Sequence, residues 1–129
     1  MPYSYIRKDQ IRECIDECIS ILTEIYPEHR GHIDYIKTLT DKAILLSYDS
    51  TSDAEAIALL GEGWVAEETL AIAIYCLMKY PDDFEKAVVA SVNHSGDSDS
   101  TGAVTGNIMG ALLGYDAIPE YYKENLELR

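Results

Sequence analysis

The chain has few of the residues that mark several large classes of protein. Its 3 Cys are odd in number and lack framework spacing, so structural disulfide bonds are not expected. The chain has only 10 Lys and Arg but 23 Asp and Glu, which gives a net charge of -13. This negative charge argues against a broad basic surface that binds DNA or RNA. No apolar run approaches the roughly 18 residues of a membrane span, and residues 1–20 are charged rather than signal-like. These absences predict a cytoplasmic protein with no nucleic-acid or membrane partner.

The composition is that of one folded domain. The chain has 129 residues, 47% of them hydrophobic and 26% charged, values typical of a soluble protein with a single core. We therefore treat residues 1–129 as one domain.

Hydrophobic periodicity predicts an all-α protein, a compact domain of about six helices. Apolar residues recur at helical spacing and no segment alternates as a strand does. The first stripe runs from Ile11 to Ile25 and is closed by Pro27 and Gly31; a second helix, about His32 to Leu46, turns Ile44 and Leu45 inward. The third predicted helix is short, capped by Ser52 and ended by Gly61 and Gly63. A largely buried central helix follows over 65–79 and is stopped by Pro81. Three further helices are predicted: one in "DDFEKAVVASVNH", one after Ser98 and one starting at Pro119.

Two cysteines in the first helix allow two interpretations. Cys14 and Cys18 lie one helical turn apart, and with His29 and His32 they have the residue types of a zinc quartet. The spacing matches no familiar zinc pattern, and both cysteines share the apolar stripe. Core packing, the habit of free Cys, is the favoured interpretation.

An acidic segment near the C-terminus indicates a cation. In "SVNHSGDSDSTGAVTGNIMGALLG" the carboxylates of Asp97 and Asp99 are two residues apart, beside Ser100. Like charges this close repel unless a positive group lies between them. Carboxylate and hydroxyl oxygens are ligands that Mg²⁺ accepts, together with waters, so Asp97, Asp99 and Ser100 form half of a plausible metal shell.

The segment allows three other interpretations. An EF-hand loop fails because its twelfth position, a bidentate Glu, is Ile108 here. A glycosidase pair needs carboxyls about 5 to 9.5 Å apart across a sugar, which suits neighbours in sequence poorly. Simple capping of the following helix by Asp97 or Ser98 stays open, although it accounts for only one of the two acids.

The helix after this segment carries glycine at every fourth position. Each interior Gly costs up to about 1 kcal/mol relative to Ala, so the set predicts close approach of another backbone or a ligand. The glycines are Gly102, Gly106, Gly110 and Gly114.

The segment resembles the ADP-ribosylglycohydrolase family. "GDSDSTGAVTGNIMGALLG" followed by "YDAIPEYY" is similar to its C-terminal part, where Gly-Asp-x-Asp-(Ser/Thr) opens an Ala/Gly-rich helix before "AIP". The upstream "LLGEGWVAEETLAIAIYCLMKYPDDFEKAVVASVN" resembles it too. The likeness is strongest over 53–127 and loose over the first fifty residues.

The resemblance implies an all-α hydrolase with a pair of Mg²⁺, or Mn²⁺, ions. In this family they bind a ribose of ADP-ribose and assist hydrolysis of its bond to a protein or small acceptor. Asp97, Asp99 and Ser100 match metal ligands, and Gly63, Trp64 and Asp97 match positions near the ADP-ribose cleft. Trp64 is expected either to stack on the nucleotide or to anchor its turn as a core aromatic.

The chain also departs from the family. Residues 1–52 lack the Gly-Asp-x-x-Gly and Thr-Asp-Asp-Thr-like segments that give the family its other ligands and acid-base carboxylates, so the catalytic residues are not assigned. The first hypothesis is therefore the C-terminal half of a metal-dependent ADP-ribosyl hydrolase, little active alone. The alternative is an inactive helical binding or scaffold module, or a subunit of a split enzyme, that forms oligomers or binds a complementing chain.

Overall fold

A computed structural model describes the backbone of residues 3–124 and the side chains of residues 8–124. Within these residues the chain is all-α, as predicted, with seven α-helices and no strand. The helices are α1 (Tyr3–Ile25), α2 (Arg30–Ser47), α3 (Asp53–Leu60), α4 (Ala66–Lys79), α5 (Phe84–Val92), α6 (Ser98–Leu113) and α7 (Glu120–Glu124), with 3-10 turns at Pro27–His29 and Tyr115–Ala117. The end of the last predicted helix lies outside the described residues.

Several predicted helix boundaries are confirmed. The Ser52 hydroxyl accepts a hydrogen bond from the amide of Glu55 and caps α3, which ends at Gly61 with a φ of 131°. Asp83 caps α5 in the same way, and Pro119 directly precedes α7. Gly31, expected to close the first helix, instead lies in the first turn of α2.

The central helix, α4, forms the core. Every residue from Ala71 to Met78 is buried, because α2, α5 and α6 pack around it. A helix that is apolar on all sides requires such an enclosed position. No helix among the described residues is long and apolar enough to cross a bilayer.

Asp53 ties α3 to α4. Its two carboxylate oxygens accept hydrogen bonds from the hydroxyls of Tyr75 and Tyr80, at 2.6 and 2.5 Å. The bond to Asp53, followed by burial, raises the pKa of Tyr80 to about 12, because the hydroxyl must keep its proton to donate it.

Two predictions about burial are wrong. Cys14 and Cys18 are exposed, not packed in the core, because α1 packs mainly against α2 and leaves much of its apolar stripe uncovered. Leu45 is 73% exposed: Ile44 faces the core, and the next residue of a helix is rotated by about 100°.

Candidate functional site

The start of α6 brings Asp97 and Ser100 together. Asp97 precedes the helix, and its carboxylate accepts hydrogen bonds from the backbone amide of Ser100 at 3.3 Å and from its hydroxyl at 2.7 Å. The capping interpretation is therefore confirmed for Asp97. The same contact holds a carboxylate oxygen and a hydroxyl oxygen side by side at the N-terminal end of α6.

Asp99 is placed differently from its two neighbours. It lies in the first turn of α6 and is exposed, and no described contact joins it to Asp97 or Ser100. Nor does any group of three His, Cys, Asp or Glu within the described part of the chain approach closely enough to hold a metal ion. The structure thus joins one predicted carboxylate to the predicted hydroxyl and leaves the second carboxylate free to solvent.

The turn between α3 and α4 packs directly on the segment before α6. The carbonyl oxygen of Glu62 accepts a 2.7 Å hydrogen bond from the amide of Asp97. A Cβ atom on Gly96 would lie 1.9 Å from that same oxygen, so only glycine fits there. Gly63, with a φ of 81°, has the left-handed backbone that glycine adopts readily. This contact brings Gly63 and Trp64 to the same cavity as Asp97.

Two side chains of α4 hold this turn in place. Glu68 accepts hydrogen bonds from the amides of Glu62 and Gly63, at 3.2 and 3.1 Å. The hydroxyl of Thr69 donates to the carbonyl of Gly63 at 2.7 Å. Sequence reasoning assigned Glu68 no role, although a Glu at the third helical position is the residue that reaches back to free amides in a capping box.

His94 and Thr101 brace the segment on its other side. The amide of Gly96 donates to Nδ1 of His94 at 3.1 Å, so the ring proton belongs on Nε2, which lies 2.8 Å from the hydroxyl of Thr101. That hydroxyl donates in turn to the carbonyl of Ser91 at 2.5 Å. The buried Thr101 thereby links the end of α5 to the first turn of α6. The pairing of these two residues cannot be predicted from the sequence, because it depends on how α5 and α6 meet.

An open cavity of about 470 Å³ lies between the 61–65 turn, the start of α4 and the start of α6, within the size range of small-molecule sites. Its walls include Gly63, Trp64, Asp97, Ser100 and Val104. Trp64 is 67% exposed and its ring nitrogen donates to Glu62 at 3.0 Å, so the core-aromatic interpretation of Trp64 is wrong. Asp99 is not among the lining residues.

The glycine stripe of α6 has separate local explanations. A Cβ on Gly102 would lie 2.5 Å from the side chain of Val92, so this glycine lets α5 and α6 approach closely. Gly114 ends the helix with a φ of 87°. A Cβ on Gly106 would meet no described atom within 4 Å. Close approach is therefore confirmed at Gly102 and not at Gly106.

An acidic side chain at the start of α4 pairs with α2. The carboxylate of Glu67 lies against Nε2 of His32. The pKa of Glu67 is held below its usual range, first by a hydrogen bond from its own backbone amide and then by His32. The contact joins α2 to the helix that carries Glu68 and Thr69.

Comparison with known proteins bears directly on this site. A model of the ADP-ribosylglycohydrolase family matches residues 3–129, including the first fifty residues. Bovine ADP-ribosylhydrolase ARH3 is 29% identical over 114 residues, which are 81% of this chain and 30% of that protein. ADP-ribosylarginine hydrolase Tri1 of Serratia proteamaculans is 28% identical over 92 residues, 71% of this chain and 25% of that protein.

A third relative matches over a shorter range. ADP-ribosyl-[dinitrogen reductase] glycohydrolase of Rhodospirillum rubrum is 38% identical over 48 residues, 37% of this chain and 16% of that protein. No solved structure gives a significant match. The chain spans less than a third of the length of these relatives. Because the family model covers nearly the whole chain, the protein belongs to the ADP-ribosylglycohydrolase family.

Proposed function

We propose that this chain supplies part of the site at which an ADP-ribosyl glycosidic bond is hydrolysed. Asp97, Asp99 and Ser100 serve as ligands to Mg²⁺ or Mn²⁺ in this proposal, and Gly63 and Trp64 contact the ADP-ribose. The observation that carries it is the Asp97–Ser100 pair facing the cavity beneath the 61–65 turn. The relatives named above are hydrolases of ADP-ribosyl groups by their names, which supports this substrate class.

The donor set fits a hard divalent cation. Neighbouring ligands of an octahedral Mg²⁺ ion, each about 2.1 Å from the metal, are themselves about 3 Å apart. The oxygens of Asp97 and Ser100 are held 2.7 Å apart by their hydrogen bond, which is close to that spacing. Asp99 is exposed, so its oxygens are accessible as a further ligand. A bound divalent ion would orient the ribose hydroxyls and stabilise charge in the transition state.

The chain's own residues have distinct parts in this site. Glu68 and Thr69 hold the 61–65 turn against Asp97, and the buried Gly63 forms part of the cavity wall. The exposed ring of Trp64 offers a flat apolar surface for a ribose or an adenine. No Lys or Arg of the described residues lines the cavity, so the phosphates of the ligand depend on metal ions and backbone amides.

Calorimetric titration with Mg²⁺ and Mn²⁺ tests the metal site. We expect the double variant Asp97→Asn, Asp99→Asn to bind at least about tenfold more weakly, since each lost carboxylate removes a charged ligand. Asn also caps helices well, so α6 is expected to stay folded. Asp41→Asn is the matched control: its carboxylate is exposed and pairs with Lys37 on α2. Identical heats for all variants would refute the metal proposal.

An activity assay tests whether the site is complete. Because the described residues hold no three converging ligands of the His, Cys, Asp or Glu type, we expect little release of ADP-ribose from ADP-ribosyl-arginine or ADP-ribosyl-serine by this chain alone. The same observation favours the second candidate, a helical binding module without catalytic activity. Metal binding without turnover supports the first proposal, and neither metal binding nor turnover supports the second.

A further inference from the structure

A second cavity lies along α1. We call it the α1 groove: its walls are Ile15, Ile19 and Leu22 of α1, Ile74 and Leu77 of α4, and Ile108 and Leu112 of α6. It has a volume of about 400 Å³. The three α1 residues are only half-buried. A contiguous apolar surface of this kind marks an interaction site in a soluble protein.

The shape of the groove fits one helix. Its lining residues on α1 run from Gln10 to Leu22, about 18 Å at 1.5 Å per residue. An amphipathic helix of about three turns, with anchors at successive turns, fills a groove of this length.

Charge disfavours a second copy of this chain as the occupant. From residue 10 to residue 24 the exposed charged residues of α1 are one cation, Arg12, and four acids, Glu13, Asp16, Glu17 and Glu24. Each copy carries a net charge of -13. Two copies joined along α1 would place like charges side by side, which opposes association.

The groove is continuous with the candidate site. One face of α6 carries Ser100 and Val104 at the site and then Ile108 and Leu112 in the groove. Leu70 lines both cavities. A segment that fills the groove therefore ends about two helical turns from Ser100, since Ile108 lies eight residues along α6 from it.

The length of the relatives identifies the occupant. Bovine ADP-ribosylhydrolase ARH3 aligns with this chain over only 30% of its own length, so most of that protein is additional chain available to cover such a face. We infer that the α1 groove is the docking surface for a helix from the part of the family fold outside the matched segment. This inference rests on membership of the family and not on metal binding.

The cysteines of α1 make the groove measurable. Cys14 and Cys18 are exposed and line it, whereas Cys76 is buried in α4, with its pKa raised by that burial. The probe is the part of the bovine relative outside its matched segment, co-expressed with this chain. In EDTA, maleimide labelling followed by mass spectrometry should show Cys14 and Cys18 reacting about tenfold more slowly in the complex than in the chain alone. Cys76 should be unreactive both in the complex and in the chain alone, which would show that the core is folded in both samples.

Two matched variants locate the contact. Ile19→Glu places a charge in the groove and should abolish both co-purification and thiol protection. Leu45→Glu changes an exposed residue of α2 outside the groove and should leave both unchanged. Equal labelling rates of Cys14 and Cys18 with and without the bovine segment would overturn the inference. So would slower labelling of the chain alone at higher concentration, because that result would mean that a second copy covers the groove. Neither co-purification nor thiol labelling depends on metal binding, so both measurements would still test this inference if the proposed function were refuted.

Discussion

Helices α1 and α4 both carry apolar residues at helical spacing, yet α1 is open on one side and α4, apolar on all sides, is enclosed. In α4 the residues from Ala71 to Met78 are all buried, whereas in α1 Ile25 is 59% exposed and Ile21 is 45% exposed. Helical periodicity identifies the face that avoids water but not what covers it. The difference indicates that α4 forms the core of this chain, whereas α1 carries an apolar face that the described residues leave partly open.

The strongest test of this contrast replaces one isoleucine in each helix. Ile72→Ala in α4 removes a side chain with no exposure and should lower the free energy of unfolding by about 2 to 5 kcal/mol. Ile19→Ala in α1 removes a half-buried side chain and should cost about 1 kcal/mol or less, because little packing is lost. Urea denaturation measures both. Equal losses would show that α1 is as enclosed as α4.

The helices themselves could largely be predicted from the sequence. Ser52, Pro27 and Pro81 mark boundaries through local rules of capping and proline geometry, so they need no knowledge of the fold. The burial of Cys14 was predicted wrongly because it depends on a neighbouring element that the sequence pattern does not reveal.

The candidate site could be predicted only in part, for the same reason. Asp97 and Ser100 are three residues apart at a helix end, where local geometry brings them together. The contacts of Glu68 with Gly63, and of His94 with Thr101, join different segments across the fold. They follow from how α4, α5 and α6 pack, which periodicity does not specify. Trp64 shows the limit within a single turn, since residue type alone left both a core and a surface position open.

Substitution of two glycines by alanine compares a crowded position, Gly96, with an uncrowded one, Gly106. Gly96→Ala would place a Cβ against the carbonyl of Glu62 at 1.9 Å, a backbone atom that cannot turn aside. We expect a loss of about 1 to 3 kcal/mol and displacement of the 61–65 turn. Gly106→Ala, where a Cβ meets no described atom within 4 Å, should raise stability by up to about 1 kcal/mol.

Thermal unfolding followed by circular dichroism measures this pair, with Trp64 fluorescence as the report on the turn. Trp64 lies in the 61–65 turn and is exposed, so its emission should change in Gly96→Ala and not in Gly106→Ala. Destabilisation by Gly106→Ala would mean that this face of α6 is covered, contrary to its open surroundings here.

The smallest expected effect concerns the tie between α2 and the enclosed helix α4. The folded pKa of Glu67 is below its usual 4.5, so Glu67 contributes stability above that value, and the contribution is lost as the pH falls through the lowered pKa. His32→Ala removes the second of the two main causes and leaves the backbone hydrogen bond of Glu67. We therefore expect a small decrease in the unfolding temperature at pH 6, and a smaller one at a pH low enough to protonate Glu67 in both proteins. His29→Ala is the matched control, because His29 lies next to exposed Glu28 and ties no two helices together. If His29→Ala and His32→Ala had equal effects at both pH values, the contact between His32 and Glu67 would contribute nothing to holding α2 against α4.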